Sequence, residues 1–146
     1  MNREKLLELW EDMWLEGNWV PSFPDTLREI TAEEANWKPS EPSNSIWQEV
    51  IHIIFWRIAT LNEISGLPKF SRDEIETQEF AEPTSTDAIA WAACIAELEA
   101  THRKIALQIQ DESADITRIP YHLIHDAYHL GRITQLRAMQ GTGPKF

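Results

Sequence analysis

Four long stretches of the chain repeat apolar residues with the spacing of amphipathic helices, and none shows the convincing two-residue alternation of a strand. The predicted helices cover residues 3–16, 45–65, 86–110 and 120–140. Gly17, Gly66 and Gly141 follow three of them, and Pro120 stands in the first turn of the last. The pattern therefore predicts an all-α protein built as a four-helix bundle.

The second predicted helix is apolar nearly all round, which is typical of a helix at the centre of a fold. Residues 18–44, between the first and second helices, form a long connection that contains four prolines. Within it, residues 26–30 are predicted to form a short helical turn, and Thr31 with Glu34 has the form of a capping box. A connection this long favours a crossover between helices 1 and 2, or a cover over one end of the bundle.

Composition sets the broad class of the protein. With 146 residues, 42% of them apolar and 25% charged, the chain is expected to form a single domain over residues 1–146. The net charge of −11 argues against nucleic acid and against an anionic membrane as partners. No stretch reaches the length of about 20 apolar residues that spans a bilayer, and no signal core follows the N-terminus, so we expect a cytoplasmic location. The single cysteine, Cys94, is predicted to be an inert buried thiol.

Three of the five histidines lie within eight residues of the fourth predicted helix: His122, His125 and His129. At about 100° per residue they fall inside a wedge of about 60°, which continues into Ile133 and Leu136. The wedge is therefore expected to face the bundle interior. Buried imidazoles need partners for both ring nitrogens, and neutral imidazole is a common ligand of divalent metal ions. The alternative is a chance group of surface or partly buried histidines that carries no ion.

The two remaining histidines differ in their surroundings. His52 lies in the middle of the apolar second helix, and bundle interiors bind metals through side chains of facing helices. Three protein ligands would leave an open coordination position, as in catalytic sites. His102 lies among polar residues of the third helix and is predicted to be solvent-exposed. The role of His122 stays open between a supporting group, a pocket wall and a helix-start residue.

Two segments carry a resemblance to a known family. The segment 45–53, SIWQEVIHI, resembles the second-helix segment of the DinB-like (DinB/YfiT-like) metal-binding four-helix bundles. The segment 125–133, HDAYHLGRI, is similar to the fourth-helix pattern of the same superfamily. Carried over residue by residue, the resemblance implies a metal triad of His52, His125 and His129. Arg132 occupies the position where the family usually has glutamine. This difference affects the expected substrate chemistry more than the expected metal binding.

The resemblance also implies a homodimer, a divalent ion such as nickel or zinc, and a low-molecular-weight thiol as cosubstrate. On this basis we expect a metal-dependent thiol transferase or hydrolase that acts on a small molecule. Glu49 and Asp126 are candidates to orient an imidazole or serve as a base, and the alternative for both is a surface or supporting role. Two other hypotheses remain: a non-catalytic, stress-related binding bundle, and a structural dimer whose histidines hold no ion.

Overall fold

A computed structural model describes residues 1–40 and 42–143, and these residues form helices and loops without a strand. The helices are α1 (Arg3–Asp12), α2 (Phe23–Leu27), α3 (Ala32–Asn36), α4 (Ile46–Ile64), α5 (Arg72–Gln78), α6 (Ala88–Gln110) and α7 (Ile119–Gln140). The long helices α1, α4, α6 and α7 correspond to the four that the sequence predicts, which confirms the all-α class. None of the helices in the described ranges is long and apolar enough to cross a membrane.

Helix α4 packs against α6, α7 and α3, and α1 packs against α6 and α7. The α4 residues Ile46, Val50 and Ile53 are fully buried, as the apolar profile of the helix predicts. Burying one such side chain stabilises the fold by about 1.5–3 kcal/mol, so the central contacts of α4 contribute much of the packing energy. The crossover between α1 and α4 stays a prediction.

The connection between α1 and α4 is folded against the bundle. It contains α2 and α3, and three side chains of the long helices donate hydrogen bonds to its backbone. These bonds run from Arg137 Nη1 to the Thr26 carbonyl at 2.7 Å, from Trp91 Nε1 to the Ile30 carbonyl at 2.9 Å, and from Gln140 Nε2 to the Glu34 carbonyl at 3.0 Å. Glu41 of this connection and residues 144–146 of the predicted domain lie outside the described residues.

Capping boxes begin three helices. At α4, Ser45 Oγ accepts a hydrogen bond from the Gln48 amide at 3.1 Å, and Gln48 Oε1 accepts one from the Ser45 amide at 3.0 Å. Thr31 and Glu34 form the second box, at α3, as predicted. The third box, Ser71 with Glu74, begins α5. Each box satisfies amides of the first turn that have no partner within the helix.

Helix α1 is shorter than the predicted residues 3–16. It ends at Asp12, and residues 13–16 form turns that lead to Gly17. Gly17 has a φ of +77°, and a Cβ atom there would lie 2.5 Å from the Val20 carbonyl oxygen. The early end lets the Phe23 amide donate to the Met13 carbonyl at 2.9 Å and places the Phe23 side chain in the core. Tertiary packing therefore overrides the helical tendency of residues 13–16.

Candidate metal centre

Helices α4 and α7 bring His52, His125 and His129 together, and we call these three residues the histidine triad. The Nε2 atoms of His52 and His125 are 3.1 Å apart. The ring centroid of His129 lies 4.4 Å from that of His52 and 4.5 Å from that of His125. One potential ligand atom from each ring lies within 4.8 Å of the other two. The geometry therefore allows one small cation to contact all three rings.

Each ring of the triad holds its Nδ1 atom against an oxygen. These oxygens are the Glu79 carbonyl at 3.2 Å from His52, Asp126 Oδ1 at 3.1 Å from His125, and Glu49 Oε2 at 2.5 Å from His129. An oxygen of this kind accepts a hydrogen bond, so each Nδ1 atom carries the proton and donates. The Nε2 atom of a neutral ring is then a bare lone pair. This is the tautomer that a metal-binding histidine with a supporting oxygen adopts.

Two bare lone pairs at 3.1 Å repel each other unless a positive species lies between them. A proton can bridge only two nitrogens, whereas the triad brings three rings to one place. In a tetrahedral zinc site with bond lengths of about 2.0–2.1 Å, two nitrogen ligands lie about 3.4 Å apart. The observed separation of His52 and His125, 3.1 Å, is close to that value. The triad therefore fits a divalent ion.

Burial shapes the protonation of the site. His52 is 7% exposed, and its burial, followed by the charges of His129 and His125, lowers its pKa to about 4. The Phe80 ring stacks on His52 with 3.9 Å between centroids, which covers one face of the imidazole. His52 is therefore neutral at pH 7, the form that binds metal.

Arginines hold the two carboxylates that support the triad. Arg132 Nε donates to Glu49 Oε1 at 2.8 Å, and Arg57 donates to Asp126 Oδ2 from Nε at 3.0 Å and from Nη2 at 2.8 Å. Burial by itself raises the pKa of both carboxyl groups. The hydrogen bonds from His129 and Arg132 lower the pKa of Glu49 overall, and the Arg57 charge does so for Asp126. Both carboxylates are thus ionised, fully buried supports rather than surface groups.

His122 lies on the same face of α7 but makes a different contact. Its Nε2 atom is 2.7 Å from Thr60 Oγ1, and its burial lowers its pKa to about 4. A second group of possible ligands comprises His122, His125 and Asp126. Within that group both oxygens of Asp126 already accept hydrogen bonds, one from His125 and the other from Arg57. The histidine triad is therefore the better candidate, and His122 serves as a wall of the adjoining space.

That space is a cavity of about 400 Å³ beside the triad. His52, His125 and His122 line it on one side, together with Thr60 and Trp56. Two of the three triad rings, those of His52 and His125, border the cavity, so a small molecule inside it lies next to the triad.

The prediction that His102 is exposed is wrong. His102 is 3% exposed and stacks on Trp10 with ring centroids 5.0 Å apart, and Trp14 lies at 5.2 Å. It faces α1 because it continues the inward series of Leu98 and Ile105 at helical spacing, despite its polar neighbours in the sequence. Neither ring nitrogen of His102 has a hydrogen-bond partner among the described residues.

The lone thiol lies away from the triad, on α6. Cys94 is partly buried, and this burial raises its pKa to about 12. At neutral pH the group is therefore a protonated thiol with little nucleophilic character. This agrees with the inert role that the sequence predicts.

Three groups that contact the site histidines or their carboxylate partners were not predicted from the sequence. The Glu79 carbonyl could not be found, because a backbone oxygen has no side-chain signature. Arg57 did give a signal, since a cation in the middle of an apolar helix needs a buried partner. Thr60 follows Trp56 by one helical turn on α4, but nothing in its type indicates a contact with His122.

Comparison with known proteins bears on the fold and the family. No curated protein and no solved structure matches the chain. A family model described as the DinB superfamily matches residues 2–139, which span nearly the whole sequence. The match includes the capping box of α4, all three residues of the histidine triad and both supporting carboxylates. The chain therefore belongs to the DinB superfamily.

Proposed function

We propose that the histidine triad binds one divalent metal ion and that the protein is a metal-dependent enzyme acting on a small molecule. The observation that carries this proposal is that one potential ligand atom from each of the three rings lies within 4.8 Å of the other two, while the Nδ1 atom of each ring lies against an oxygen. Hydrogen bonds of this kind orient imidazole rings for metal binding and raise metal affinity.

Nickel and zinc are the ions that we propose, because imidazole nitrogen suits both and the protein offers three such ligands. A bound ion of this kind supplies Lewis acidity and lowers the pKa of a bound water or thiol toward neutrality. We therefore propose either transfer of a low-molecular-weight thiol or hydrolysis as the reaction.

The protein residues set the charge of the site. Glu49 is paired with Arg132, and Asp126 is paired with Arg57, so neither carboxylate contributes uncompensated negative charge. His52 is neutral at pH 7. The residues therefore do not repel an anionic nucleophile such as a thiolate or hydroxide. Phe80 and Trp56 flank His52 and limit access of bulk water from that side.

Elemental analysis of protein purified without a chelating affinity step tests the metal site. We expect about one nickel or zinc ion per chain in the wild type and at least a tenfold loss of affinity in His125→Ala and His129→Ala. The variant His102→Phe is the matched control, because it removes a buried histidine outside the triad and keeps a ring between the tryptophans. Retention of the ion in both triad variants, with folding intact by circular dichroism, would contradict the proposal.

A turnover screen tests the catalytic part. The metal-loaded protein is incubated with bacillithiol, mycothiol or glutathione plus an electrophile, and separately with simple esters and amides. We expect turnover with one class and its loss in His129→Ala. If the protein binds metal but turns over none of these substrates, the proposal of an enzyme is rejected. The alternative of a non-catalytic binding protein is then favoured.

A further inference from the structure

The cavity beside the histidine triad has an uneven charge distribution. Among the described residues that line it, Arg118 is the one of permanent charge, and none is a carboxylate. The remaining lining residues are histidines, aromatic residues and Thr60. The lining therefore favours an anion over a cation.

Arg118 is available for a ligand. Its side chain is 62% exposed, and it forms an ion pair with Glu63, whose Oε2 atom lies 3.8 Å from Nε, beyond hydrogen-bond distance. Glu63 is also 3.8 Å from Lys69 Nζ, so two cations share one carboxylate. Asp115 also lies close to Arg118: hydrogen bonds from Thr117 lower the pKa of its carboxyl group, and the Arg118 charge contributes to this shift. Two cations and two carboxylates therefore share this region, but a guanidinium has five N–H donors, so the ion pair with Glu63 does not use all of them. A guanidinium can bind a carboxylate through two parallel hydrogen bonds.

Aromatic side chains supply much of the apolar lining of the cavity. Trp56 and Tyr121 both line it, and Tyr121 is 67% exposed. A second cavity of about 190 Å³ shares Trp56 and Arg118 with the first and adds Phe70 and Pro68. The two cavities therefore meet at the tryptophan and the arginine. Aromatic walls of this kind stack on flat apolar groups.

We propose that this cavity binds small organic acids that have a flat apolar body. The carboxylate pairs with Arg118, and the body lies against Trp56 and Tyr121. This inference deepens the proposed function, on which it rests for the role of the bound acid as substrate. It names the chemical class of that substrate.

Isothermal titration of the full chain tests the proposal with a matched pair of probes, 3-phenylpropionate and its neutral amide. We expect the acid to bind about fivefold more tightly than the amide, because an exposed arginine pair contributes up to about 1 kcal/mol. The preference should shrink at high salt as charge is screened. Arg118→Gln should abolish the preference while the amide binds as before. Arg103→Gln should preserve it, because Arg103 pairs with Glu99 on α6, away from the cavity.

The same titrations on metal-free protein separate this proposal from the metal site. Arg118, Trp56 and Tyr121 do not depend on an ion, so we expect the preference for the acid to persist without metal. Equal binding of acid and amide, or no binding of either, would overturn the inference even if the triad binds metal. A preference that survives Arg118→Gln would also overturn it, since another group would then hold the carboxylate. If the triad does not bind metal but Arg118 still selects the acid, the result supports the acid-binding cavity and contradicts the proposed metal-dependent reaction.

Discussion

His102 is one of three buried histidines whose lowered pKa makes the fold sensitive to acid, together with His52 and His122. Burial, followed by the charge of Arg57, lowers its pKa to about 3, against an ordinary value of 6.5. The unfolded chain therefore binds a proton that the folded chain excludes. The contribution of this group to the free energy of unfolding is fully present above about pH 6.5. It is lost as the pH falls toward 3.

We expect His102→Phe to reduce this acid sensitivity. Phenylalanine keeps a ring between Trp10 and Trp14 and removes two ring nitrogens that have no hydrogen-bond partner among the described residues. Urea unfolding at pH 7 and pH 4.5 measures the effect. The free energy of unfolding should fall less between these pH values in the variant than in the wild type. An equal decrease in the free energy of unfolding in the two proteins would show that His102 does not cause the acid sensitivity.

Glu49 should matter to metal affinity without touching the ion. It accepts hydrogen bonds from His129 and Arg132 and is fully buried. Glu49→Gln keeps the shape but removes the charge that supports the His129 ring. We expect metal affinity to fall about 10–100-fold, as measured by competition with a chelator.

Glu16→Gln is the control for this change, because Glu16 is exposed and lies far along the chain from both α4 and α7. It should leave the affinity unchanged. An unaltered affinity in Glu49→Gln would mean that the carboxylate does not support a metal ligand. Asp126 is less suited to the test, since loss of its buried pair with Arg57 would cost about 3–5 kcal/mol of stability.

At the scale of elements, the start of α4 places Glu49 and His52. Ser45 is fully buried, and its Oγ accepts a hydrogen bond from the Gln48 amide. We expect Ser45→Ala to lower the free energy of unfolding by about 1 kcal/mol, as measured in urea. Ser71→Ala is the control at an equivalent box, because α5 has no buried residue and can fray without loss of core packing. An equal or larger effect of Ser71→Ala would contradict this account of α4.

The sequence predicted elements well where local chemistry decides their limits. The second helix was predicted at residues 45–65 from the capping box of Ser45 and Gln48 and from Gly66 at its end. The observed helix, α4, covers Ile46–Ile64. The α7 stripe was predicted to face inward, and His129 and Ile133 are buried. His102 was misjudged because its polar neighbours were weighed above its helical spacing from Leu98 and Ile105.

Other features depend on contacts between distant segments, which local patterns do not contain. Helix α1 ends early because Phe23 packs into the core next to Met13. The His52 ring is fixed by the carbonyl of Glu79, which follows it by 27 residues. Such contacts are set by the packed structure rather than by residue type. The candidate ligands and the supporting carboxylates Glu49 and Asp126 were therefore predictable, whereas the Glu79 carbonyl and the pairing of Arg57 with Asp126 were not.

At the scale of the whole molecule, we expect the homodimer that the resemblance implies. Helix α7 exposes Ile124 and Tyr128, at 73% and 62%, one turn apart on its outer side. Multi-angle light scattering after gel filtration should give twice the chain mass of 16.9 kDa, independent of concentration in the micromolar range. A mass of one chain across that range would show that the protein is a monomer.

The proposed ion would link parts of the chain that are far apart in sequence, since His52 and His125 are separated by 73 residues. X-ray absorption at the metal edge, measured on zinc-loaded protein, tests this claim most directly. We predict that three imidazole nitrogens coordinate the zinc ion at about 2.0–2.1 Å. In His52→Ala we predict two imidazole nitrogens. A shell of sulfur or of oxygen alone, or one that His52→Ala leaves unchanged, would contradict the account.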